Sequence, residues 1–182
     1  EIHPVMSVRA FGTKERLDYV HTIQNSEPEK ERANLALSDA IALIAVELGK
    51  NPSEFSINDY VKWFAQTFGG QIAKIRKLGV YHGHLHLQNI TLDCRITDLE
   101  GILAVEKIFS TNHYEDLKKH LNEKELTSEI IYKSEFDGGK ESLNDFLNDV
   151  ANLTGKLSLE DVDVCLKLYE AEYNRELSVA KE

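Results

Sequence analysis

Residues 79–101 read GVYHGHLHLQNITLDCRITDLEG, and this stretch concentrates most of the side chains that can hold a metal or move a proton. Within it, Asn89-Ile90-Thr91-Leu92 and Arg95-Ile96-Thr97-Asp98 are two β-branched runs around the polar pair Asp93-Cys94. That pattern is a hairpin signal. A two-residue loop at Asp93-Cys94 sets Leu92 opposite Arg95, Ile90 opposite Thr97 and Asn89 opposite Asp98, with Cβ atoms roughly 5 Å apart. One cation touching both Asn89 and Asp98 is then expected. A hard cation such as magnesium takes carboxylate and amide oxygens and keeps other positions for water or phosphate, which suits a metal-bound nucleotide.

Outward from this stretch the chain reads as helices. Ser26 is the candidate N-cap of a helix with Pro28 and Glu29 in its first turn, running to about Leu48 and closed by Gly49. Its apolar residues cover more than one face, so burial on two sides is expected. Ser56-Ile57-Asn58-Asp59 has the form of a capping box with Asp in place of Glu. From there Ile57, Tyr60, Val61, Phe64, Phe68, Ile72, Ile75 and Leu78 recur at helical steps until Gly79. Gly69-Gly70 in its middle costs about 1 kcal/mol per residue relative to Ala, which points to a close helix contact or a break.

Upstream, 4–11 reads as a short strand and Lys14 to Ile23 as a turn or two of helix. Downstream, Ile102 to Phe109 and His113 to Leu121 read as helices, and 126–140 carries no clear period. Ser142 to Leu153 is helical and closed by Gly155, and Ser158 opens a last helix to about Leu177, with Val179 to Glu182 expected to fray.

The segment His82-Gly83-His84-Leu85-His86-Leu87-Gln88-Asn89 resembles the catalytic loop of protein-kinase-like enzymes, H-R-D-L-x-x-x-N. It is more similar to the H-G-D-L-H-x-x-N form of aminoglycoside phosphotransferases and related small-molecule kinases. Asp98-Leu99-Glu100 resembles their D-F-G or D-F-E segment. The resemblance spans roughly Ile57 to Gly101, since a long amphipathic helix also precedes the loop in kinase-like C-terminal lobes. It implies Asn89 and Asp98 as ligands of magnesium and ATP, with Glu100 as a supporting metal residue and His82 as the structural histidine of the loop. The catalytic Asp of that family falls here on His84, which takes the place of the general base. Neither a G-x-G-x-x-G run nor a G-x-x-x-x-G-K-[ST] run, the motifs that cover and clamp phosphates, is present in the sequence. The nucleotide-binding N-terminal lobe is therefore expected to lie outside this chain, with Val5 to Phe11 as its last strand, and the chain alone is expected to bind without turnover.

Two other readings compete. In one, the loop is retained for structure and the helical surface binds a protein, as in a pseudokinase or interaction module. In the other, His82, His84 and His86 alternate along an extended segment and supply imidazoles to a transition metal in a hydrolase. His113 and His120 lie on a polar helix and read as solvated. Cys94 has no neighbouring base in sequence except Arg95, which argues against a nucleophile.

Composition sets the bounds. With 182 residues, 42% hydrophobic and 29% charged, the chain is long enough for a sizeable core and too short for two full domains, so 1–182 is read as a single helical domain bearing its site at 79–101. A first residue of Glu1 points to a fragment or processed chain. A net charge of −10 opposes nucleic-acid binding. Two cysteines are too few for a disulfide framework, and no apolar run approaches about 20 residues, so a cytoplasmic protein outside the membrane is expected. The expected fold is mainly α with one small β-hairpin, like the helical C-terminal lobe of the protein-kinase-like fold, and the expected partners are a nucleotide and either a protein or the missing lobe.

Overall fold

The computed structural model describes residues 27–179, with side chains from residue 30 onward. The strand expected over 4–11, the helix over 14–23 and the Ser26 cap lie outside the described residues. Among the described residues six helices carry the fold: α1 (Glu27–Glu47), α2 (Ile57–Lys77), α3 (Val105–Ile108), α4 (His113–His120), α5 (Ser128–Thr154) and α6 (Leu159–Ser178). Two short strands, β1 (Val80–Tyr81) and β2 (Leu103–Ala104), pair antiparallel with Val80 opposite Ala104 and Tyr81 opposite Leu103. Over the described residues the chain is mainly helical with one two-stranded sheet, as its sequence suggests.

Local chemistry starts and stops the long helices. In α2 the Ser56 hydroxyl accepts from Asp59 N at 3.1 Å while Asp59 Oδ2 accepts from Ser56 N at 2.9 Å, so two orphan donors of the first turn are satisfied reciprocally. Ser158 and Asp161 repeat the arrangement at the start of α6. Gly79 after α2 and Gly155 after α5 take left-handed conformations that release the chain from the helix.

Packing then joins these helices. The stripe of α2 is buried at Tyr60, Phe64, Phe68 and Ile72. Phe64 stacks on Phe146 of α5 with ring centroids 4.3 Å apart, and Phe68 meets Tyr169 of α6 at 5.7 Å. Each such aromatic contributes about 2–3 kcal/mol by burial. The glycine pair does not break α2. A Cβ at Gly69 would fall inside contact distance of the Tyr169 carbonyl oxygen, so the absent side chain is what lets α6 approach α2 backbone to backbone. Gly139 of α5 plays the same part for the Tyr169 hydroxyl, which donates to Phe136 O at 2.9 Å. A smaller apolar cluster of Val105, Ile108, Leu117, Leu126 and Ile131 lies under the sheet, α3, α4 and the start of α5.

Several expectations change. From Ser128 onward the segment 126–140 is helical and continuous with the helix expected from Ser142, giving one 27-residue α5. Ile102 to Phe109 is not one helix: Leu103-Ala104 form β2, and only Val105–Ile108 make a helical turn. In α1, Ala36, Leu37, Ala40 and Ile44 are buried, whereas Leu35 and Val46 are 64% and 63% exposed. Burial is therefore one-sided among the described residues.

Candidate functional site

The site segment leaves and returns through the two-stranded sheet. Chain following β1 runs through His82–Asn89, turns at Leu92–Cys94 and comes back to β2, while Val105 N donates to Gly79 O at 2.8 Å and closes the base. Neither limb has the long ladder expected of Asn89–Leu92 and Arg95–Asp98. One bridge, Ile90 opposite Ile96, is formed, with Thr91 N donating to Arg95 O at 2.9 Å and Thr97 N to Asn89 O at 2.8 Å.

The register is thus one residue away from the expected pairing, because the loop holds three residues rather than two. The reason is conformational. A type I′ loop at Asp93-Cys94 would put both residues at positive φ and a type II′ loop would want Gly first, whereas a three-residue loop needs one left-handed residue, and Cys94 supplies it at φ 57°. Cys94 N donates to Thr91 O at 2.9 Å to close the turn. Asp93 braces it by accepting from the Thr91 hydroxyl at 2.6 Å and pairing with Arg95 Nε at 3.1 Å. From α2, the Tyr60 hydroxyl donates to Leu92 O at 2.6 Å and Gln71 Nε2 donates to Cys94 O. Burial pushes the Cys94 thiol well above its usual range, so it stays protonated and is a poor nucleophile.

A one-residue slip would ordinarily send Asn89 and Asp98 to different faces. Here Asp98 leaves the extended region for φ 58°, ψ 57°, a conformation its short polar side chain tolerates. Asp98 Oδ2 consequently lies 3.3 Å from Asn89 Nδ2. The two side chains meet, by a route other than direct pairing. Asn89 is buried, and its Nδ2 also donates to His84 O at 2.9 Å and lies 3.4 Å from His86 Nε2. All of these contacts fall on the amide nitrogen. Asp98 and Glu100 are exposed, and Glu100 sits in the short turn Leu99–Gly101 with no bond to the pair among the described residues.

The three histidines have different surroundings. His82 is 1% exposed; its Nε2 donates to Thr97 O at 2.9 Å and its Nδ1 accepts from His84 N at 3.2 Å. Burial lowers its pKa, with Thr97 O, Asp98 and the neighbouring histidines as smaller influences, so the ring is neutral near pH 7. Both ring nitrogens are engaged with backbone, and His82 ties the chain just before Asp98 to the chain just before His84. His84 and His86 are exposed, their rings perpendicular at 6.4 Å, with Gly101 beside the His84 ring. Among the described residues no three His, Cys, Asp or Glu side chains are grouped so as to hold a metal ion. His82 is thus turned away from the three-histidine arrangement considered above.

Two residues that hold the loop come from α5 and escaped the sequence reading. Glu135, 6% exposed, accepts on one carboxylate oxygen from His82 N and, at 3.3 Å, from Gly83 N. Burial raises its pKa to about 7 against the lowering effect of those two amides. Ser142, seven residues on, donates its hydroxyl to Leu85 O at 2.9 Å. The signal was present: Ile131, Glu135, Gly139, Ser142 and Phe146 follow helical steps, so a carboxylate stands at a core position of an apolar stripe.

Among the described residues no helix is long and apolar enough to cross a membrane. Compared with protein-family models, curated proteins and solved structures, the chain matches none, and its site is read from its own geometry.

Proposed function

We propose that this domain binds a magnesium-bound nucleotide through Asn89 and Asp98, in the manner of a kinase-like phosphotransferase, with His84 where the general base stands in the family it resembles. The observation that carries this reading is the approach of Asn89 and Asp98 to 3.3 Å at the mouth of a loop whose buried histidine spans its two limbs. A carboxylate oxygen and a side-chain amide oxygen are hard donors, the set that magnesium takes when phosphates and water complete its shell. When bound, the ion neutralises charge on the phosphates. The chain's own part is to present the two oxygens and to keep His82 neutral, so that its ring donates to Thr97 O and the segment entering Asp98 stays in place. The His84 ring is exposed, and an imidazole is the kind of proton acceptor that a general base requires.

His84 in the place of an Asp also favours a second reading, a pseudokinase or interaction module that keeps the loop without chemistry. Calorimetry of the chain with magnesium and ATP addresses both. Weak binding that falls at least about tenfold in Asp98→Ala, with no release of ADP, is expected, since a charged interaction is worth about 1.5–3 kcal/mol. Binding indifferent to Asp98→Ala and Asn89→Ala, or absent altogether, overturns the nucleotide reading.

A further inference from the structure

We propose that Glu135 and Ser142 of α5 form a two-point main-chain clamp that positions His84, so that the placement of the site is set by α5 rather than by the hairpin. The two residues are seven apart, two helical turns on one face of α5, and each is buried. They grip opposite polarities of the loop backbone: the carboxylate takes the N–H groups of His82 and Gly83, and the hydroxyl gives its proton to Leu85 O. His84 is the one residue between the gripped positions. Its backbone is fixed on both sides, while its ring is held by no hydrogen bond among the described residues and projects into solvent. A backbone fixed beneath the ring is part of what a group needs in order to reach a partner from a defined position. The grip is also specific to this loop, since it depends on Gly83 at φ 81° to aim two consecutive amides at one oxygen. A side chain that only filled space would be served as well by Leu, because an isosteric apolar residue in place of a buried charge is often neutral or stabilising.

That contrast supplies the test, which also bears on the nucleotide reading above but does not depend on it for its first measurement. Amide hydrogen exchange is followed at His82, Gly83, Leu85 and His86, and at Ile72 and Ala73 of α2, in the unmodified chain and in Glu135→Leu, Glu135→Gln and Ser142→Ala. The clamp predicts that Glu135→Leu speeds exchange at His82 and Gly83 by about 10- to 100-fold while the α2 amides keep their rates. Glu135→Gln, which keeps an acceptor oxygen, restores most of the protection. Ser142→Ala is the milder variant should Glu135→Leu fail to fold; it is expected to speed exchange at His86, whose N–H bonds His84 O at 3.0 Å, and to shift the His84 ring resonances. Loop and core amides changing in step in every variant, or Gln failing to rescue Leu, would show a merely structural carboxylate and overturn the proposal. As a second measurement, magnesium affinity is expected to fall about tenfold in Glu135→Leu and to return in Glu135→Gln. Unclamped amides in a chain that binds no magnesium at all would uphold the clamp and sink the nucleotide reading.

Discussion

The helical core and the site loop are held by opposite means. In the core, Tyr60, Phe64, Phe68, Phe146 and Tyr169 interlock through apolar contact, and even the glycines are explained by packing, since Gly69 and Gly139 make room for Tyr169. In the loop between β1 and β2, buried apolar residues are fewer and the backbone is fixed by single polar groups sent from helices: Tyr60 and Gln71 from α2, Glu135 and Ser142 from α5. Packing is non-directional and tolerates small changes of volume, whereas hydrogen bonds aim individual atoms. Tyr60 and the loop residues Leu87, Ile90, Leu92 and Cys94 belong to the apolar core as well. Glu135 and Ser142, by contrast, act on the loop through hydrogen bonds, so the grip of α5 can be perturbed separately from the packing.

The largest expected effect breaks the core. Gly69→Ala puts a methyl group against the Tyr169 carbonyl, a backbone atom that cannot rotate away, and should cost about 3 kcal/mol, or a fall of about 10 °C in Tm by calorimetry. Gly70→Ala is the control. Its methyl group would meet the Glu172 side chain at 3.7 Å, an ordinary contact, so the gain in helix propensity should leave stability unchanged or raised by up to about 1 kcal/mol. Equal effects at the two neighbours would mean that α6 does not lie against α2 as described.

A smaller effect separates loop from core by pH. Glu135 titrates near 7 when folded against an ordinary value of 4.5, so the folded state binds the extra proton between those values. Its contribution is thus present below about pH 4.5 and is lost as pH rises to about 7. Relative to Glu135→Gln, the unmodified chain should gain about 2 kcal/mol between about pH 8 and about pH 5.5 in urea unfolding. The carboxylates of Asp59 and Asp161, lowered by their capping hydrogen bonds, act in the opposite sense at more acid pH and cancel in the comparison. A difference that does not vary with pH would place Glu135 in water rather than beneath the loop.

The same division explains what was legible in the sequence. Periodicity and caps carry the core, and α2 follows from Ile57 to Lys77 almost to the residue because its apolar spacing and the Ser56–Asp59 box agree. The first half of α5 was obscured by Lys133, Ser134, Glu135, Asp137 and the Gly138-Gly139 pair, which interrupt the pattern. Helical spacing puts Gly139 and Glu135 on the buried stripe, but the reason for each is a contact distant in sequence, with Tyr169 and with His82, which local pattern does not record. The loop was legible in its parts and not in its register. Asn89 and Asp98 were singled out together and do meet, yet the three-residue turn depends on Cys94 accepting positive φ, and the reunion depends on Asp98 doing the same. Both are choices of single residues, which period-two patterning does not record.

The central claim is that the oxygens of Asn89 and Asp98 take one hard divalent cation. Manganese titrated into the isotope-labelled chain, followed by paramagnetic broadening of amide resonances, reads the position of that ion directly. The account predicts that Asn89, Thr97 and Asp98 broaden first, that the α6 amides around Tyr169 stay sharp, and that Asp98→Asn removes the effect. Broadening centred on the exposed His84 and His86 and unchanged by Asp98→Asn, or no localised broadening anywhere in the loop, would contradict it.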